Sequence, residues 1–205
     1  MAFSDFTLPQ IKQRLGVTVD TSADLFATVP EADLPPRLAE LLANYLPLAV
    51  NLGTEKARSE LVIAPLLIEF KLQHRDRVSL FSGIEFTVDE AAGLKGRCDY
   101  ILARSPEQMV LTAPACVLVE AKSENIVGGV PQCLAEMVAA QRFNRATGLP
   151  DAPVYGAVTT GLRWRFLRLD GDAAGVDAVE YPIQNPRKLV GVLAHMVGVV
   201  PTPEA

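Results

Sequence analysis

The sequence predicts an α/β fold, with a central mixed β-sheet flanked by α-helices. Three observations lead there. Helical and strand patterns alternate along the chain, in the order helix, two or three strands, helix, strand, strand. The run Val117-Leu118-Val119 is continuously apolar, which suits a buried strand. Apolar residues make up 49% of the 205, enough for a full core and too many for a disordered chain.

Taken in order, residues 8–15 form a short helix stopped by Gly16, and 17–27 is ambiguous. Pro35-Pro36 suits the first turn of a second helix, with Leu38, Leu41, Leu42 and Tyr45 as its apolar stripe and Pro47 as its end. Thr54 caps a third, longer helix, which Pro65 kinks. Leu61, Ala64, Ile68 and Leu72 share one of its faces, with Glu60 beside that face. Alternation at Ile84, Phe86 and Val88 marks a half-exposed strand, followed by a turn at Gly93 and Gly96. Strands are expected over 97–103 and 115–121, separated by a loop. A helix then starts at Gly128-Gly129 and Pro131 and stops at Gly148. Strands follow over 154–159 and 163–169, and another over 176–181. A closing helix spans 186–197, with Leu189, Val192, Leu193 and Met196 apolar.

Composition excludes several classes. No stretch reaches about 18 apolar residues without charge, so no membrane span is expected, and the first residues lack a basic region followed by an apolar run. Cys98, Cys116 and Cys133 are odd in number and match no metal-ligand spacing. They read as reduced, buried thiols of a cytoplasmic protein. His74 and His195 sit in no ligand motif. A net charge of -5 argues against a surface that clings to nucleic acid everywhere, and leaves room for a local basic rim.

The chemistry gathers at Glu120-Ala121-Lys122. Residues two apart in a strand point to the same face, so Glu120 and Lys122 project side by side from the end of a buried strand. Burying both charges costs several kcal/mol unless they are paired or bound to something. Asp99 is the lone acid of the preceding strand, and antiparallel pairing through the 104–114 loop brings it beside Glu120. Two close carboxylates repel unless a cation sits between them. Oxygen ligands on strands suit Mg²⁺ or Mn²⁺, which polarises a phosphodiester and activates a bound water. Lys122 is placed to orient that water or stabilise charge on phosphorus. A plain structural ion pair between Glu120 and Lys122 remains the simpler reading at this point. Around the site, Lys71 and Arg75 belong to a basic cluster at a helix end. Arg163 and Arg165 share a strand face, and with Arg97 these residues supply a candidate basic rim for nucleic acid.

In this order the residues resemble the PD-(D/E)xK nuclease superfamily, the restriction-endonuclease-like fold. Within it the chain is most similar to the N-terminal nuclease domain of type I restriction R subunits and small stand-alone relatives. The resemblance rests on Glu55-Lys-Ala-Arg-Ser-Glu60, Gly96-Arg-Cys-Asp-Tyr100, Val119-Glu-Ala-Lys122 and Gln132, with Thr159-Thr-Gly-Leu-Arg-Trp164 as the strand turn. Cys98 stands where the motif name has proline. The likeness runs from about residue 50 to 195, so residues 51–205 are expected to form the nuclease-like domain and 1–50 a helical appendage.

The resemblance implies Asp99 and Glu120 as metal ligands with the Ala121 carbonyl, and Lys122 as the catalytic lysine. Glu60 becomes the helix carboxylate holding a water or second metal, and Gln132 a residue that either supports the site from behind or orients the substrate. The cofactor implied is Mg²⁺ or Mn²⁺. The implied partner is nucleic acid, DNA foremost, bound by a monomer or a homodimer. The alternative is a nuclease-like fold that serves as a nucleic-acid-binding or assembly module.

Overall fold

The computed structural model describes residues 1–149 and 151–199. Its centre is an eight-stranded mixed sheet. In chain order the strands are β1 (Thr18–Asp20), β2 (Ser79–Glu85), β3 (Arg97–Ala103), β4 (Ala115–Ala121), β5 (Val154–Thr159), β6 (Arg163–Asp170), β7 (Ala173–Val176) and β8 (Tyr181–Pro182). They lie in the order β1-β7-β6-β5-β4-β3-β2, with β8 beside β6. The pairs β2–β3, β3–β4 and β5–β6 are antiparallel, because short connections let each strand fold back on its neighbour. β4 and β5 are parallel, because the chain crosses over between them through the helix α5 (Ile126–Ala146).

Alternation along the strands builds two cores. Leu102, Val117, Val119, Trp164 and Phe166 face one layer, formed by α2 (Pro36–Leu52), α4 (Ala64–Gln73) and α6 (Pro186–Val197). Ile101, Leu118, Val158 and Leu167 face the other, formed by α5 with Phe3, Phe6 and Ile11. Covering both faces explains why β4 is buried without a break, and apolar from Ala115 to Val119.

The expected α/β sheet flanked by helices is thus present, with β3, β4, β5 and α6 at their expected bounds. Several elements differ. Pro47 lies inside α2, which runs on to a left-handed Gly53. Its missing N–H is outweighed by the burial of Leu38, Leu42 and Ala49. The third helix is three pieces: α3 (Glu55–Arg58), a π turn (Ser59–Ile63) and α4. A π turn inserts one residue ahead of Pro65, and this rotates the buried face. Val62, Ile63, Leu66, Leu67 and Phe70 are therefore buried, whereas Ile68 and Leu72 from the expected stripe are exposed. The strand expected over 84–88 is β2, which starts earlier and gives way to a loop tied by Phe86 N–H to Gly96 O. The strand expected over 176–181 is replaced by β7 and β8, since the Asp170-Gly171 turn starts the return pairing at once.

The first fifty residues, expected as an appendage, are woven into the same body. β1 pairs parallel with β7, and Phe3, Phe6, Ile11 and Val17 are buried. Lys188 on α6 donates to the carbonyls of Phe26, Ala27 and Val29, and Ala32 N–H bonds to Arg187 O. The approach is close: a Cβ on Gly191 would stand 2.2 Å from Pro30 O. Gly191→Ala must part these two backbones and is expected to cost about 1–3 kcal/mol. A lowered urea midpoint with unchanged slope checks this.

Candidate functional site

The site lies where β3 and β4 stop pairing. Their last opposed residues on this side are Tyr100 and Val119. Beyond this last pair Asp99 follows on β3 and Glu120 on β4, side by side in chain order at the open end of the ladder. The Asp99 carboxylate closes the gap in the ladder by accepting the Ala121 N–H at 2.8 Å.

Glu120 is buried, while the Lys122 side chain keeps 28% of its surface exposed. Lys122 Nζ donates to Glu120 Oε1 at 2.5 Å and to Gln132 Oε1 at 3.1 Å. Gln132 in turn donates through Nε2 to Glu136 Oε1 at 3.1 Å. Glu136, one turn further along α5, is fully buried. It is the one residue of this hydrogen-bonded cluster that the motifs did not single out. The signal was present: between Val130 and Gln141 it is the lone charge in a helix apolar on every side, and such a helix is buried all round.

Electrostatics follow from burial. Desolvation first, then the charge of Asp99, push the Glu120 carboxyl up to about 7, against the opposing hydrogen bond and charge of Lys122. Desolvation and then the Glu120 charge hold Glu136 well above the usual carboxylate range. Glu120 Oε2 and Glu136 Oε2 are both buried and have no hydrogen-bond partner. Burial works against the Lys122 ammonium, but its bond to Glu120, with the charges of Asp99 and Glu55 added, leaves its pKa raised.

A cleft of about 290 Å³ opens beside Asp99, lined also by Glu55, Ser59, Glu60, Tyr100 and Ala121. Glu60 comes from the π turn and pairs with Lys56 at 2.8 Å, its side chain 61% exposed. Tyr100 holds that turn against the sheet through a 2.6 Å bond between its hydroxyl and Ser59 Oγ. The structure therefore links Glu120, Lys122 and Gln132 by hydrogen bonds, ties Asp99 to the Ala121 backbone, and places Asp99 and Glu60 on the wall of the cleft.

The five basic residues scatter. Arg97 is two residues from Asp99 and pairs with Glu85 at 3.2 Å. Arg163 and Arg165 do share a face of β6, where both meet Glu180, at 3.6 and 3.0 Å. Arg163 lines a second cleft of about 360 Å³ with Arg58, which donates to Ser123 O in the loop after Lys122. Lys71 and Arg75 are elsewhere. They lead into the start of β2, whose Ser79 pairs with Ala103 at the far end of β3 from Asp99.

Among the described residues, no group of three or more His, Cys, Asp and Glu side chains is gathered to hold a metal ion. The donors on hand are still of the kind that suits a divalent cation: the carboxylates of Asp99 and Glu120, the latter with a buried oxygen that has no hydrogen-bond partner. Among the described residues no helix is long and apolar enough to cross a membrane. No family model matches the chain, and no curated protein sequence matches it.

Proposed function

We propose that the protein is a metal-dependent nuclease of the PD-(D/E)xK kind, hydrolysing phosphodiester bonds of nucleic acid, DNA foremost. One observation carries the reading: at the open end of β3 and β4 the Asp99 carboxylate sits on Ala121 N–H, close enough for its charge to act on Glu120, which holds the Lys122 ammonium. A purely structural pair needs no second carboxylate that pushes Glu120 towards its neutral form.

Asp99 and Glu120, with the Ala121 carbonyl, would hold Mg²⁺ or Mn²⁺. When bound, the cation supplies positive charge to a phosphate oxygen and acidity to a water. The chain's own residues do the rest. Asp99 is fixed by Ala121 N–H and Glu120 by Lys122, so neither carboxylate swings. Lys122 has three N–H groups and spends two on Glu120 and Gln132; the third is free for the attacking water or a phosphate oxygen. Glu60 and Ser59 border the cleft that would admit the substrate strand.

A second reading, a nuclease-like fold kept as a binding or assembly module, draws on the pairing of Arg97, Arg163 and Arg165 with Glu85 and Glu180. Calorimetric titration with Mn²⁺ beside a plasmid-nicking assay with Mg²⁺, Mn²⁺ or EDTA separates the two. The nuclease reading expects binding and EDTA-sensitive nicking. Nucleic-acid binding without cleavage supports the module, and no divalent binding overturns the nuclease.

Gly129 offers a gentler probe. A Cβ there would come within 3.0 Å of Lys122 Cγ and 2.6 Å of Val158 Cγ1. Gly129→Ala is expected to push the lysine stem aside, lowering turnover by on the order of 10–100-fold. Titration calorimetry should show its Mn²⁺ affinity within about twofold of the wild type, since the carboxylates do not move.

A further inference from the structure

Resting on the nuclease reading, we infer that Glu136 is a positioning residue, one that sets the direction of Lys122 by fixing the Gln132 amide. Gln132 stands between two unlike neighbours. Lys122 Nζ donates to its Oε1 at 3.1 Å, and its Nε2 donates to Glu136 Oε1 at 3.1 Å. An amide offers a donor at one end and an acceptor at the other. With an ammonium on one side and a carboxyl oxygen on the other, one orientation satisfies both contacts. The flipped amide would set its NH₂ against the ammonium and its carbonyl against the Glu136 oxygen.

Remove the acceptor at position 136 and that choice is lost. Gln132 becomes free to turn, and Lys122 keeps Glu120 as its only fixed partner. The spacing supports the arrangement: Gln132 and Glu136 are four apart on α5 and so lie one above the other on the helix face that carries the contact to Lys122. Burial supports it too. A fully buried carboxyl inside an apolar helix is costly, and an apolar residue of similar volume at such a place usually holds or raises stability. The residue thus works against folding where it stands, which agrees with a role in the chemistry.

The test is the full chain with Glu136→Met and Glu136→Gln, each alone and in a Lys122→Ala background. Glu136→Met is expected to raise Tm while lowering kcat by about 10–100-fold, with KM and Mn²⁺ affinity within about twofold. Glu136→Gln retains an oxygen that accepts from Gln132, and is expected to recover most of the turnover lost in the Met variant. In the Lys122→Ala background, Glu136→Met should cause no further loss, because its effect passes through the lysine. A full additional loss there, or a Met variant as fast as the wild type, overturns the inference.

A readout independent of cleavage separates this from the parent reading. The Gln132 side-chain amide protons, assigned by their loss in Gln132→Ala, are expected to be protected from exchange in the wild type and in Glu136→Gln, and exposed in Glu136→Met. Glu136→Ala serves if the Met variant does not fold. Protected amide protons in a wild type that cuts nothing would sink the nuclease reading and leave the positioning contact standing. Unprotected protons in the wild type would sink the contact itself.

Discussion

Lys122→Ala is expected to bind Mn²⁺ at least as tightly as the wild type and to cleave roughly 10²–10³ times more slowly. The two effects part because the lysine and the carboxylates do different work. Lys122 neutralises Glu120, so its removal leaves more negative charge for the cation and takes away a competitor for Glu120 Oε1. It also removes the one N–H group left over for the substrate. Asp99→Ala and Glu120→Ala should instead lose cation binding and cleavage together. A structural ion pair makes a different forecast: all three variants would melt earlier, and none would change cation affinity selectively. Calorimetric titration on the three variants, with a nicking assay alongside, reads the pattern. A Lys122→Ala protein that cuts at the wild-type rate would refute the proposed division of labour.

Without divalent ions, stability is expected to fall as pH rises from about 4.5 to about 7, opposite to the acid denaturation common for surface carboxylates. The sign follows from proton binding. Glu120 has a folded-state value of about 7 against an ordinary 4.5, so across this window the folded chain holds a proton that the unfolded chain releases. The stabilising contribution is complete below the unfolded value and gone above the folded one. At about 1.4 kcal/mol per pH unit, it amounts to about 3 kcal/mol for one group. Glu136, shifted the same way, adds to the trend. A cation held by ionised Glu120 reverses it, so Mn²⁺ should raise Tm more at pH 8 than at pH 5. Differential scanning calorimetry across pH, on the wild type and on Glu120→Gln, checks both points. A wild type whose Tm does not decline from pH 5 to 7, or a Gln variant with the same decline, would show that Glu120 is not the group responsible.

What the sequence discloses follows physical lines. β3, β4 and β5 were legible because apolar runs of strand length end at Gly, Pro or charged residues, and α6 because Pro186 and Gly198 bracket its apolar period. The neighbourhood of Glu120 and Lys122 was legible from period-two alternation, and the antiparallel pairing of β3 with β4 from the loop between them. β1 and β8 were not, since three- and two-residue strands carry no period and exist through their partners. The π turn was hidden because Pro65 signals a break without saying how the chain absorbs it. The position of the basic residues was not legible. Charge clusters mark solvent, and which end of the sheet they reach depends on pairing register: Lys71 and Arg75 fall at the end away from Asp99.

The pairing of β1 with β7 has a consequence for how the chain is made. Thr18 meets Asp172, which lies 154 positions further along the chain. A ribosome delivers residues in order, at about 5–20 per second. The opening strand must therefore wait through most of translation with its backbone unpaired, together with the apolar Phe3, Phe6 and Ile11 nearby. Closing so distant a contact is slow, because the loop entropy is lost before the pairing is gained. β1, made first, is thus secured only after β2 to β7 have been made, and it is a segment that holdase chaperones would meet early.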